Sequence, residues 1–231
     1  MAHRTAAAQR TTSLIRPQGD KSGTRQHLLE IAGLVFAEHG FNRVTGKEIC
    51  ERADVNTAAV NYYFGGMEGL YAAVLAEAQS RLVTFDALTE AIAGKTSAKD
   101  KLRAIITLIM HTLTGPVSTS WVFRVIGREF VAPSPVWDTL RRKDFLLRAG
   151  LLKAIVGELL GQPPDHPYVA QACISMIAPF TMLAIVDRSS LRSAFPSLRM
   201  VPENADALAD NMVRYAMAGL SAIRRGLRNN G

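Results

Sequence analysis

Two clusters of side chains in this 231-residue chain have the types and spacing to bind something, and no cluster has the spacing to catalyse. The first is Thr57-Ala58-Ala59 followed by Asn61-Tyr62. Its hydroxyl and amide groups suit the donors and acceptors on base edges, while the two alanines keep the backbone close and can touch a thymine methyl. The second is Arg124 and Arg128, one helical turn apart, whose shared face suits an anion or a carboxylate. The same spacing equally serves a structural pair between Arg128 and Glu129, Asp138 or another chain. His39, His111 and His166 are scattered without partners. No Ser-His-Asp or Cys-His set, HExxH motif or P-loop occurs. Cys50 and Cys173 lack metal-ligand spacing and cannot make a disulfide framework, as expected of a reduced, cytosolic protein. The expectation is a binding protein with no catalytic residue, metal or cofactor.

The elements that must position these groups read as helices throughout, and no strand pattern stands out. Thr24 to His39 puts Leu28, Ala32, Val35 and Phe36 on one stripe, and Gly40 stops it. Thr45 with Glu48 three residues on predicts a capped helix running to about Ala53. Asp54-Val55-Asn56 makes a turn, and Asn56 or Thr57 caps a third short helix ending near Tyr62. After Gly65-Gly66, a longer helix is predicted from Met67 to about Phe85, with Leu70, Val74, Ala78 and Leu82 on one face. Beyond a linker at Gly94 to Ala98, further helices are predicted near 99–114, 120–131, 135–160, 167–187 and 203–227, with a loop from Ser193 to Pro202. Two short helices joined by a tight turn are the parts of a helix-turn-helix, whose second helix enters the major groove.

Charge narrows the partner without placing it. A net charge of +7 and a pI near 9.7 favour an anionic partner such as nucleic acid. Yet residues 23–80 carry Arg25, Arg43, Lys47 and Arg52 against a larger set of acids, so the excess lies elsewhere, mostly after residue 80. Residues 1–22 read as a flexible basic arm, since they lack the apolar core of a signal peptide. Val169 to Val186 runs without a charge, but Gln171, Ser175, Thr181 and a central Pro179 favour a buried helix or an oligomer interface over a membrane span.

Residues 24–75 resemble the N-terminal domain of TetR-family transcriptional regulators. The resemblance is carried by Ile31-Ala32, Phe36-Ala37-Glu38-His39-Gly40-Phe41, Thr45, Ile49-Cys50, Ala53-Asp54-Val55-Asn56 and Asn61-Tyr62-Tyr63-Phe64-Gly65-Gly66-Met67-Glu68-Gly69-Leu70. It implies a cytoplasmic homodimer whose paired helix-turn-helix units read a palindromic double-stranded DNA operator. It also implies contacts from Thr45, from the recognition helix (Asn56, Thr57, Ala58, Ala59, Asn61, Tyr62) and from Tyr63. Family members usually carry a lysine where this chain has Met67, and Arg43 and Lys47 are candidates to replace that phosphate contact. The same residues have structural roles open to them: Tyr62, Tyr63 and Phe64 as core aromatics, Thr45 as a cap, Lys47 as a solvated side chain.

Residues 121–215 are similar to the CecR-like branch of that family, through Phe123-Arg124, Arg128-Glu129, Pro133-Ser134-Pro135 and Leu160-Gly161-Gln162-Pro163. Members of that branch control transporter or efflux genes in response to toxic small molecules. The architecture expected is all-α: an arm over 1–22, a three-helix DNA-binding domain over 23–85, and a larger effector-binding and dimerisation domain over 86–231. Candidate lining residues for the effector are His111, Trp121, Phe123, Arg124, Arg128, Phe130, Trp137, Met176 and Phe180, each also suited to core packing or a structural pair. The dimer interface is expected on the uncharged segment, at Ile174, Ile177 and Thr181, and on the last helix, at Leu208, Met212, Tyr215, Ala216, Gly219 and Ile223. A regulator with no small-molecule effector, governed by a protein partner or by abundance, is the alternative. A solid C-terminal core would favour it, and a cavity would favour an effector.

Overall fold

The structure, a computed structural model, describes residues 21–116 and 121–229. Every regular element among them is helical, as expected for an all-α chain. The first four helices are α1 (Lys21–His39), α2 (Gly46–Arg52), α3 (Ala59–Phe64) and α4 (Met67–Arg81). The remainder are α5 (Phe85–Ile92), α6 (Ala98–Thr114), α7 (Trp121–Val131), α8 (Pro135–Leu160), α9 (Pro167–Ile185), α10 (Arg188–Ala194) and α11 (Ala205–Asn229).

Local chemistry sets most of these boundaries. Gly40, at φ 78°, donates its N–H to the Phe36 carbonyl and ends α1. The Thr45 hydroxyl accepts from the Glu48 N–H at 3.2 Å and starts α2. Serines cap α6 and α8: Ser97 accepts from Asp100, and Ser134 from Trp137, with Pro135 in the first helical turn.

Several expectations need correction. Lys21 and Ser22, assigned to the arm, belong to the first turn of α1, and the rest of the arm lies outside the described residues. The third helix spans Ala59–Phe64 rather than Thr57–Tyr62, because the Asn56 side chain accepts from the Ala58 N–H and holds residues 56–58 in a turn ahead of it. The predicted Met67–Phe85 helix ends at Arg81, and an unforeseen helix, α5, begins at Phe85. Leu82 is extended at ψ 179°, and the Thr84 hydroxyl accepts from the Ala87 N–H to begin α5. The loop expected from Ser193 follows an unforeseen helix, α10, capped by the Asp187 carboxylate.

Two cores form. One gathers Leu28, Val35, Phe36, Ile49, Leu70 and Val74 from α1, α2 and α4, with Val60 from α3. It also draws in Trp121, Val122 and Val125 from α7 and Trp137 from α8. The other joins α5, α6, α8, α9 and α11, and takes Phe123 from the opposite side of α7. Helix α7 is therefore shared by both, and each fully buried Leu or Phe in them contributes about 1.5–3 kcal/mol. The uncharged segment is not the buried helix that one reading expected. Within α9 only Val169, Ala172 and Cys173 are buried, leaving Ile174, Ile177, Met182 and Ile185 exposed. By length and composition alone α9 could cross a membrane, with 22% of it buried.

Candidate nucleic-acid interface and effector cavity

The turn between α2 and α3 is built from Ala53 to Ala58. Ala53 is buried, which lets the two helices approach. Asp54 sits at φ 50°, a left-handed position that aspartate tolerates through its short polar side chain. The buried Cys50 donates its S–H to the Thr57 carbonyl, and the Val55 N–H bonds to the Cys50 carbonyl at 3.0 Å. These contacts fix the orientation of α3.

Thr57, Ala58, Asn61 and Tyr62 then face outward, with Tyr62 67% exposed although it is a large aromatic. Its ring meets Tyr63 edge to face at 4.8 Å. Tyr63 is half-buried against the core, so its ring has a structural role alongside any outward one. Ala59 was expected at a base edge, but it is buried beside Val60 and cannot reach one. Asn56 is exposed while its side-chain oxygen caps the turn. Arg43, Thr45 and Lys47 are exposed on the same helix-turn-helix, with Lys47 3.7 Å from Glu51.

Met67 is half-buried, and its sulfur lies 3.4 Å from where a side chain on Gly46 would begin. It packs α4 onto α2. Sequence reasoning missed Arg25 as a cation at this surface: its guanidinium lies 4.9 Å over the Phe64 ring, beside the end of α3. The signal that could have found it was a basic residue in the first helix of an otherwise acidic unit.

Helix α7 ties this unit to the rest of the chain. Trp121 donates its indole N–H to Glu30 at 2.8 Å, and Arg81 both bonds Glu30 and lies 5.3 Å over the indole. Partial burial would raise the Glu30 pKa, but the bonds from Arg81 and Trp121 outweigh it and hold the carboxyl below its ordinary value of 4.5. The stability this contributes is therefore present above pH 4.5 and lost as pH falls through the depressed pKa. Urea midpoints measured at pH 6 and pH 3.5 should fall less for Glu30→Gln than for the parent chain; equal falls would remove Glu30 from the acid response.

Arg128 spends its donors on the end of α1, Nε to the Ala37 carbonyl at 3.1 Å and Nη2 to the Glu38 carbonyl at 2.7 Å. A cation there also complements the helix dipole. It is neither the anion receptor nor the Glu129 partner that its spacing allowed. Glu129 is only 3% exposed; one carboxylate oxygen accepts from the Tyr71 hydroxyl and the other from the Ser134 N–H at 2.7 Å. Burial, then the bond to Glu129, pushes the Tyr71 pKa far above the ordinary phenol value.

The opposite face of α7 walls an open-mouthed cavity of about 210 Å³ between α6, α8 and α9, to which Leu82 and Val83 also contribute. Phe123, Phe130 and Phe180 line it, together with Ile126, Gly127, Leu113, Ile185 and Arg148. A second cavity of about 350 Å³ lies between α6, α9 and α11, lined by Phe180, Met176, Pro179, Met212 and Ile223. The other expected lining residues lie elsewhere. His111 pairs at 2.8 Å with Asp206 on the surface, Arg124 is exposed, Trp121 and Trp137 are buried in the core of the helix-turn-helix unit, and Arg128 caps α1. Aromatic residues that fill one core and line the other's cavity have the same composition, so sequence could not separate them.

The expected dimer residues cluster on α9 and α11. Ile174 is 68% exposed and Tyr215 75%; Ile177 and Gly219 are also exposed, and Thr181, Leu208, Met212 and Ile223 are half-buried. Ala216 alone turns inward, into the chain's own core, because it lies on the buried stripe of Ala209, Val213 and Leu220.

The family model for bacterial regulatory proteins of the tetR family matches residues 28–74. The model for the C-terminal domain of the HTH-type transcriptional dual regulator CecR matches residues 98–223. The chain is 28% identical over 207 residues to the HTH-type transcriptional regulator BetI of Paraburkholderia phymatum, covering 88% of this chain and 98% of that one. It is 25% identical over 125 residues to the probable HTH-type transcriptional regulator YttP of Bacillus subtilis, covering 54% of this chain but only 60% of YttP. Its fold is similar to that of the transcriptional regulator FadR from Bacillus subtilis solved with stearoyl-CoA. There the TM-score is 0.59 at 17% identity, over 84% of this chain and 98% of that one.

Proposed function

Because this chain belongs to the TetR family of bacterial transcriptional regulators and carries a CecR-type C-terminal domain, we propose that it is a cytoplasmic homodimeric repressor released from a palindromic operator by a small molecule. DNA binding is the property of the family, which is one of regulators and not of enzymes. The observation that carries the rest is the double role of α7. One side of that helix walls the apolar cavity, and the other bonds α1 and α4 behind the helix-turn-helix. A ligand preferring the conformer in which α7 has shifted would shift the two recognition helices with it and lower operator affinity by linkage. The FadR neighbour's stearoyl-CoA supports a small-molecule effector over control by abundance alone. The cavity between α6, α7 and α9 is the proposed seat, and transporter or efflux genes are the proposed targets.

The operator contacts we assign are Thr57, Ala58, Asn61 and Tyr62 to base edges, with Thr45, Tyr63, Arg43, Lys47 and Arg25 to the backbone. The exposed strips of α9 and α11 pair with their copies in a four-helix dimer interface, which covers Ile174 and Tyr215. Fluorescence anisotropy on the chain's own promoter fragment against scrambled DNA, across a salt series, tests this reading. A dimer-stoichiometric preference for the promoter, lost about tenfold or more in Tyr62→Ala, is expected. Equal, steeply salt-dependent binding to both DNAs would overturn specific recognition. In the same assay Met67→Lys should tighten binding and steepen the salt slope by about 0.9, one phosphate's worth of counterion release. An unchanged slope would place position 67 away from the backbone.

A further inference from the structure

The two cavities lie end to end along the same pair of helices. On α6 the first is lined by Ile109 and Leu113, and the second by Ile106, one turn earlier. On α9 the order is the same. Ala172 and Met176 line the second cavity, Ala184 lines the first, and Met176, Phe180 and Ala184 follow one another at four-residue intervals on a single stripe of the helix. Phe180 is the only described residue that lines both cavities. It is half-buried, packed against the core that α6, α9 and α11 share.

A benzyl side chain standing between two apolar spaces is a partition, and its place on α9 gives it a consequence for ligand length. The stripe from Ala172 to Ala184 rises about 18 Å, enough for an extended chain to run through both spaces. The first cavity alone, at about 210 Å³, suits a compact molecule. The excess of a longer one stays in the open mouth, where it removes no apolar surface from water.

We infer that Phe180 closes the first cavity on the side of α11 and so sets the length of apolar molecule that the cavity rewards. The inference rests on that cavity being the effector site, and it names the residue that selects compact apolar effectors over long unbranched ones. Calorimetric titration of the full chain with octanol, decanol, dodecanol and tetradecanol tests it. Each further CH2 group that is buried raises affinity about fourfold. In the parent chain affinity is expected to level off within this series. Phe180→Ala joins the two spaces, so the climb should continue to longer alcohols and tetradecanol should bind about tenfold or more tighter than it does to the parent. A gain of ligand cannot be imitated by misfolding, and octanol binding checks that the first cavity still forms. Phe180→Leu, a smaller opening, should move the levelling point the same way by less. Adding Met176→Trp to Phe180→Ala fills the second space and should restore the parent's limit, which separates entry into that space from a mere widening of the first. Levelling at the same length in the parent and in Phe180→Ala would overturn the partition. So would an unbroken climb in the parent, or a gain that survives Met176→Trp. Failure of all four alcohols to bind parent and variants alike would remove the effector cavity itself, and the partition with it.

Discussion

Glu129→Ala is expected to lower the unfolding free energy by about 1.5–4.5 kcal/mol, since it strands the buried Tyr71 hydroxyl at about 1–3 kcal/mol and removes the bond of the half-buried Ser134 N–H at about 0.5–1.5 kcal/mol. For a chain of this size that is a fall in thermal midpoint of roughly 3–18 °C, at about 2–4 °C per kcal/mol. Glu129→Gln keeps an acceptor for one of the two donors and should lose about half as much. Tyr71→Phe removes one donor and leaves the carboxylate its bond to Ser134, so Glu129→Ala should be the most damaging of the three. A midpoint change below about 2 °C for Glu129→Ala would mean that water replaces both bonds and that the link from α4 to the turn between α7 and α8 is not held by this carboxylate. The effect reaches function because Ser134 also caps α8, and Glu129 sits between the cavity wall and the helix that follows the recognition helix.

Gly33→Ala should act at the other junction. A methyl group at Gly33 would lie 2.4 Å from two carbons of the Trp121 indole. That ring is buried, bonded to Glu30 and covered by Arg81, so it cannot step aside and α1 and α7 must separate. Overpacking of this kind costs about 1–3 kcal/mol. The separation should also weaken operator binding, since α1 packs behind the helix-turn-helix. Trp121→Leu makes room at the price of its own contacts. The double variant Gly33→Ala/Trp121→Leu should therefore be less destabilised than the two single changes added together, by at least about 0.5 kcal/mol. Strict additivity would mean that the two positions do not share the contact.

What could be read from the chain alone was what is decided within a few residues. Thr45 with Glu48, the glycine after α1 and the pair before α4 fix α1, α2 and the start of α4 through bonds spanning three or four positions. The break at Leu82 was hidden because Leu82 and Val83 continue the apolar periodicity of α4, and only the Thr84 cap divides it. The residues expected to face DNA lie exposed or half-buried on the helix-turn-helix save for Ala59, whose burial follows from α3 starting two residues later than expected, behind the turn held by the Asn56 bond, and Arg25 was not foreseen. The cavity proposed to seat the effector was least readable. Its wall is assembled from five separate stretches of chain, and the residues that join it to the DNA-binding unit meet across long separations, Tyr71 to Glu129 and Ala37 to Arg128. No local pattern announces such a contact.

The sharing of α7 between the two cores also constrains how such a regulator can be recombined. A chimera joined within Gly94 to Ala98, where sequence suggests a seam, would graft a foreign head onto a body that still carries Trp121, Val125, Arg128 and Glu129. The incoming head would then need a glycine opposite Trp121, a helix ending where Arg128 can reach its last carbonyls, and a hydroxyl for Glu129. The unit that can be exchanged is discontinuous: residues 21–81 together with α7 and the start of α8. A graft that respects that boundary should inherit the recipient's response to ligand only if the cavity face of α7, at Phe123, Ile126, Gly127 and Phe130, stays that of the recipient.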